Sequence, residues 1–198
     1  ESVLILLLLA AVASIVLGMG MPTVGVYVLL ATLVAPALEQ LGLDRMAAHL
    51  FVLYFGMLSM ITPPVALAAY AAANIAGADP WRTSLHAVRL GWTAYVVPFL
   101  FVASPALLLI GPPWLIAWTA ATAVGGIWLV TIGVVGFASR PIGPVTRLLF
   151  AAVGLALFIP PDAFPGALPL ELFGLLAAAI LAAWLHLRRR TFAPEAGE

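Results

Sequence analysis

From Leu90 to Ile110, and again from Trp114 to Val135, the sequence carries no charged side chain. An apolar run of about 20 residues, coiled as a helix, matches the thickness of bilayer hydrocarbon. Lipid offers the backbone no hydrogen-bond partners, so a crossing segment must close its bonds internally. The strands of a membrane barrel would alternate apolar and polar residues, and no such alternation persists. Composition agrees: 65% of residues are hydrophobic and 8% charged, where a soluble domain has roughly a quarter charged. The chain reads as an all-α integral membrane protein.

Several classes drop out. Formal net charge is zero, so bulk charge points to no nucleic acid. Cysteine is absent, which removes disulfides, thiolate metal sites and cysteine catalysis. The three histidines are scattered. There is no His-Glu-x-x-His, and Asp79 and Asp162 sit in loops rather than as a facing pair. No acid–base constellation emerges, so neither an enzyme nor an organic cofactor is expected. The chain opens at Glu1 and runs straight into apolar sequence without the basic flank of a signal peptide. It reads as a piece of a longer protein.

Along the chain, Ser2–Leu17 is apolar and stops at Gly18-Met19-Gly20-Met21-Pro22-Thr23; Val24–Leu38 follows. After the polar patch Glu39–Arg45, Met46–Ile61 is apolar, broken by Thr62-Pro63-Pro64, and resumes from Val65 to Gly77. Asp79–Arg89 reads as an interfacial helix and Leu90–Ile110 as a full span. Gly111-Pro112-Pro113 marks the best internal boundary, dividing 1–110 from 111–198. The second part holds a span at Trp114–Val135, a loop Ser139–Arg147 and an apolar segment Leu148–Ile159. A proline-rich turn, Pro160–Pro169, leads to a last span, Leu170–Leu187, and a tail expected to be disordered.

Arginine sets the expected orientation, because cytoplasmic loops carry the excess of basic residues. Arg82 and Arg89 share one loop, Arg140 and Arg147 another, and Arg188–Arg190 follow the last span; the intervening turns have none. The C-terminus is expected in the cytoplasm and Glu39–Arg45 outside.

Two interruptions are the candidate site. At roughly 1.5 Å per residue, Ser2–Leu17 and Val24–Leu38 each reach only about 22–24 Å. One reading joins them into a long helix kinked at Pro22. The other, which fits the bilayer better, is a re-entrant hairpin whose tip is the glycine-rich turn. At the second interruption Pro63 and Pro64 lack amide protons and push Thr62 out of helical geometry. The carbonyls near Met60 and Ile61 are then expected to lose their partners. Helix breaks in membranes place C-terminal carbonyls at cations and N-terminal amides at anionic substrates. Pro and Gly also occur as ordinary kinks and packing contacts in membrane helices.

These residues carry a resemblance. Gly18–Thr23 with Val26-Tyr27-Val28-Leu29-Leu30-Ala31, and Phe55–Tyr70 containing Ile61-Thr62-Pro63-Pro64, resemble the large membrane subunit of TRAP transporters (tripartite ATP-independent periplasmic transporters). The similarity runs over about Ser2–Ile110, nearest to the C-terminal portion of the branch with fused membrane subunits. It implies a sodium-coupled, elevator-type importer of an organic acid or amino acid, fed by a periplasmic solute-binding protein in the bacterial inner membrane. This chain would supply the second of two inverted repeats, a hairpin with its tip at Gly18–Thr23 plus a helix broken at Ser59–Val65, followed by additional transmembrane helices. The rest of the membrane subunit would complete the site. The resemblance places sodium-binding positions at Gly18, Gly20, Met21, Thr23, Thr62 and Pro63. Candidate substrate-facing positions are Met21, Pro22, Thr23, Ser59 and Asn74. Ser59 also has a helix-packing reading, and for Asn74 an interhelical hydrogen bond is the simpler one. His49 reads as an interfacial histidine, and Arg82 and Arg89 as a basic arm bracing the moving part against the scaffold, with anionic lipid headgroups the simpler partner. Outside Glu39–Arg45, Ser2–Gly77 contains no Asp, Glu, Lys or Arg, which suits sodium better than a proton carried on a side chain. The alternative is a membrane assembly or scaffold module without its own transport site, which 111–198 fits better than 1–110.

Overall fold

The computed structural model describes residues 3–138, 141–159 and 167–190. Among them regular structure is helical, and a lone β-bridge joins Phe137 to Pro141. The chain forms two compact units, Glu1–Leu108 and Leu109–Glu198.

In the first unit, α1 (Val3–Gly18) buries Leu7, Ala11, Ser14 and Gly18, a four–three–four spacing that lines one helix face. A turn follows in which Gly20 takes φ 80°, left-handed backbone that glycine adopts without a Cβ penalty. Pro22 precedes α2 (Thr23–Leu33), and α3 (Ala35–Gln40) continues it after Val34. Asp44 starts α4 (Arg45–Leu58) by accepting the amides of Met46 at 2.8 Å and Ala47 at 3.2 Å, a standard N-cap exchange. Helix α4 is the centre of the unit. Its Phe51, Val52, Phe55 and Leu58 meet Leu7 and Ala11 of α1, Val26 and Leu30 of α2, and Ala35 and Leu38 of α3.

The directions of these helices decide between the two readings of the glycine turn. The end of α1 lies at the end of α4, where a Cβ on Gly18 would come 2.8 Å from the carbonyl oxygen of Gly56. Helix α2 begins there too, with Val26 against both glycines. It then runs back, since Tyr27 and Glu39 both reach His49 near the start of α4. Helix α1 therefore runs with α4, α2 runs against it, and the chain reverses at the turn. This is a hairpin, not one helix kinked at Pro22. Its second arm is longer than the apolar run alone: Thr23–Gln40 spans 18 residues and is apolar enough to cross a membrane.

The broken helix opens over the expected Ser59–Val65, three residues before the end of the apolar run at Ile61. It stops at Leu58, before the prolines, and α5 (Leu67–Ala76) resumes after Ala66, whose φ is 37°. The Met60 carbonyl keeps a partner, accepting the Ala68 amide at 3.0 Å. Asp79 then caps α6 (Pro80–Leu90), and α7 (Trp92–Ala103) leaves it at a bend of 40°. The continuous span expected over Leu90–Ile110 is thus interrupted. Pro105 disfavours helix at the residue before it, Ser104 is extended, and a 3-10 turn takes over at Pro105–Leu108.

In the second unit, α8 (Pro113–Val135) is long and apolar enough to cross a membrane. It packs against α9 (Pro144–Ala156), with α10 (Ala167–Arg190) beyond. Gly133 meets Arg147 and Ala151 while Gly126 meets Gly154, so α8 and α9 are antiparallel. A Cβ on Gly154 would come 2.6 Å from Val130 and 2.8 Å from the Gly126 carbonyl. Small residues let membrane helices approach this closely. Helix α10 begins at Ala167, so Ala167–Pro169 of the expected turn is already helical. The rest of that turn, the tail from 191 and Arg140 lie outside the described residues.

Candidate functional site

The hairpin tip and the helix break meet at one hydroxyl. Ser59, 2% exposed, follows the last residue of α4, and its Oγ lies 2.9 Å from the Gly18 carbonyl and 2.6 Å from that of Gly56. One hydroxyl proton is shared between two backbone acceptors. The contact exists because neither Gly18 nor Gly56 has a side chain. A Cβ on Gly56 would come 2.8 Å from Leu30 and 3.2 Å from Val26. Ser14, one turn before Gly18 on the same buried face, is 0% exposed and its Oγ has no partner among the described residues.

The second hydroxyl of the break points elsewhere. Thr62 Oγ1 lies 2.6 Å from the Leu58 carbonyl and 2.7 Å from the Tyr95 hydroxyl on α7. Tyr70 on α5 donates to the Pro64 carbonyl at 2.8 Å. The break is thereby tied to the helices on both sides of it. Pro63 is half-buried and joined to Pro64 by a cis bond. Among the described residues no hydrogen bond reaches the carbonyls of Ser59 and Ile61.

The predicted residues thus separate into groups. Gly18 and Ser59 are in direct contact. Gly20, Pro22 and Thr23 lie exposed on the tip, and the Thr23 hydroxyl makes no hydrogen bond among the described residues. Met21 is half-buried, packed against the core around α4. Thr62 is turned to Tyr95. Asn74 is exposed on α5 and its side-chain amide makes no hydrogen bond among the described residues, so the interhelical bond read for it is absent there. Three participants escaped sequence reasoning. Tyr95 lies 33 residues from Thr62, and nothing local announces that pairing. Ser14 is legible only as a small polar residue on the stripe ending at Gly18. His49 bridges Tyr27 at 3.1 Å and Glu39 at 3.2 Å, so it is a crosslink between three helices rather than a plain interfacial side chain.

Electrostatics at the tip comes from backbone. No Asp, Glu, Lys or Arg lies on α1, α2, the break or α5. Helices α1 and α4 run in the same direction and end side by side, which brings two partial negative ends together. The N-terminal end of α2 opens beside them with Pro22 at its cap. Chemically, the arrangement offers carbonyl and hydroxyl oxygens to a cation, and a helix N-terminus to an anion.

The family described as Tripartite ATP-independent periplasmic transporter, DctM component, matches residues 1–115, more than half of the 198 residues. No curated protein matches the chain, and neither does any solved structure.

Proposed function

The chain belongs to the family of DctM membrane components of tripartite ATP-independent periplasmic transporters, and from that premise we propose that residues 1–110 form the second inverted repeat of a sodium-coupled, elevator-type importer. That the chain is a multi-pass membrane component of a transporter follows from the family and the apolar helices. In this proposal the hairpin is re-entrant and the protein lies in the inner membrane with its C-terminus in the cytoplasm. A periplasmic solute-binding protein delivers a small organic acid or amino acid. The rest of the membrane subunit completes the substrate site.

The observation that carries the sodium reading is the meeting of the α1 and α4 C-termini through Ser59. The coupling ion sits at the tip and break, among positions Gly18, Gly20, Met21, Thr23, Thr62 and Pro63. Oxygens without a hydrogen-bond partner among the described residues are the Ser14 hydroxyl and the carbonyls of Ser59 and Ile61. Substrate lies toward Met21, Pro22, Thr23 and Asn74, the exposed or half-exposed positions. Ser59 acts from behind, holding the tip on the break.

The test is the melting temperature of the full protein in sodium against potassium chloride at matched ionic strength. A site filled at a hundred times its Kd stabilises by about 2.7 kcal/mol. A sodium-specific rise that disappears in Thr23→Ala or Thr62→Ala is expected. Equal melting in the two salts refutes sodium binding at the breaks.

For residues 111–198 a second reading is favoured, that of an assembly module. Nearly all of this stretch lies beyond the family match. Its α8–α9 contact is close glycine packing, and no helix pair like α4–α5 occurs among its described residues. Deleting it should leave transport by assembled protein intact while lowering the yield of the complex. Loss of transport with normal assembly refutes the scaffold role.

A further inference from the structure

A cavity of about 360 Å³ opens in the second unit between the C-terminal end of α8 and the first turns of α9, lined by Gly133, Val134, Pro144, Arg147, Leu148 and Ala151. Arg147 is fixed within it. Its Nε donates to the Gly133 carbonyl at 2.9 Å and its Nη2 to the Val134 carbonyl at 2.8 Å. Gly136, at φ 78°, leaves room for the guanidinium, since a Cβ there would lie 2.9 Å from Cζ. The remaining nitrogen, Nη1, makes no hydrogen bond among the described residues.

Capping a helix end explains two of the three nitrogens. It leaves the charge standing, because a helix C-terminus carries only about half an elementary negative charge. No carboxylate offsets it among the described residues of this unit. Glu171, the one acidic residue there, lies on α10 with Oε1 taken by the Trp118 indole at 3.1 Å. The arginine therefore keeps a net positive charge at the wall of an otherwise apolar cavity. Beside it Leu148 and Val145 are 71% and 70% exposed. A cation at the head of an apolar groove is complementary to an anionic headgroup with its acyl chain below, and basic pockets between membrane helices bind such lipids.

We propose that this cavity is a binding site for an anionic phospholipid, with the phosphate on Arg147 and an acyl chain along Pro144, Leu148 and Ala151. The site is independent of the transport reading of the first unit. The test melts the full protein in neutral detergent with dioleoyl phosphatidylglycerol, with dioleoyl phosphatidylcholine, or with inorganic phosphate. A rise in Tm specific to phosphatidylglycerol is expected, and Arg147→Gln should abolish it. That variant also removes the cap of α8, so Leu148→Asp supplies a second arm. Leu148 is exposed, and an acidic residue near a helix N-terminus is well tolerated. Its carboxylate should raise the half-saturating phosphatidylglycerol concentration about tenfold by repulsion. Equal responses to the two lipids overturn the proposal, as does an unchanged phosphatidylglycerol response in either variant. A rise of the same size from inorganic phosphate alone also overturns it.

Discussion

Replacing Gly18 with alanine tests the junction of hairpin and broken helix directly. The added Cβ would lie 2.8 Å from the Gly56 carbonyl oxygen, 2.9 Å from Val26 Cγ2 and 3.0 Å from Ser59 Oγ. A carbon and a carbonyl oxygen settle at about 3.3–3.6 Å even in their closest favourable contacts, so the overlap is roughly half an ångström or more. Val26 and Ser59 have side chains that can adjust. The Gly56 oxygen is part of the α4 backbone and cannot, so α1 must back away. That movement stretches the 2.9 Å bond from Ser59 to Gly18. Overpacking costs typically 1–3 kcal/mol, and a lost hydrogen bond between membrane helices averages about 0.6 kcal/mol. The sum is about 2–4 kcal/mol, or a fall in Tm of roughly 4–16 °C at 2–4 °C per kcal/mol. The assay is thermal unfolding of the full protein in sodium and in potassium, alongside uptake. Gly20→Ala is the control: its Cβ meets nothing within 4 Å, so only the strain of φ 80° remains, about 1–2 kcal/mol. Gly18→Ala should fall further than Gly20→Ala and lose most of its sodium response. Wild-type melting in Gly18→Ala would refute the close approach of α1 to α4.

Thr62→Ala and Tyr95→Phe remove the same hydrogen bond, so their effects on stability should be less than additive by about 0.6–1.7 kcal/mol; a double-mutant cycle with no coupling contradicts the pairing. Thr62→Ala should also raise the sodium concentration needed for half-maximal uptake, and an unchanged sodium dependence removes Thr62 from the ion site. His49→Leu cuts the link from α4 to both Tyr27 and Glu39, and hydrogen exchange should accelerate in α2 and α3 ahead of α1. Gly154→Ala forces a Cβ to 2.6 Å from Val130 and should destabilise the second unit by about 1–3 kcal/mol, seen as a lower melting temperature with the sodium response retained.

Much of this architecture was legible because lipid simplifies the code. Runs without charge must be helices, and paired prolines or closely spaced glycines must end them. The Gly18–Thr23 turn and the Thr62–Pro64 break could be found that way, and so could their likeness to a transporter family. The apolar run Met46–Ile61 overshoots the end of α4 by three residues, because composition alone reads the proline as the breaking point, whereas the break over Ser59–Val65 implied by the resemblance matches it. Pro63 and Pro64 cannot donate to Ser59 and Met60, so those carbonyls fall outside the helix and it ends at Leu58. The partners of the site were not legible. Ser59 could be placed near the break, yet its bond to Gly18 crosses 41 residues. Nothing in the apolar span Leu90–Ile110 singles out Tyr95, and His49 reads from sequence as an interfacial side chain. Each acquires meaning only once α4 is seen at the centre, with α1, α2, α3 and α7 packed around it.

The parallel run of α1 and α4 gives the site its electrostatic character. Two helix ends of about −0.5 charge each, about 6 Å apart at an effective dielectric near 20, repel by about 0.7 kcal/mol. Antiparallel neighbours would avoid that cost, so its presence at the junction of two breaks calls for compensation. Ser59 supplies part of it by turning its hydroxyl proton toward the Gly18 and Gly56 carbonyls. A monovalent cation at about 4 Å from both ends would gain on the order of 4 kcal/mol under the same assumptions, before its dehydration is counted. Dehydration consumes much of that gain, which is why a site of this kind should bind reversibly rather than permanently. The same balance predicts how Ser59→Ala behaves. It leaves the two ends less compensated in the empty state and intact toward a cation. The variant should be less stable than wild type in potassium and recover a larger share of its loss in sodium. Were the loss equal in both salts, Ser59 would be a packing contact alone, and the paired helix ends would have no bearing on ion binding.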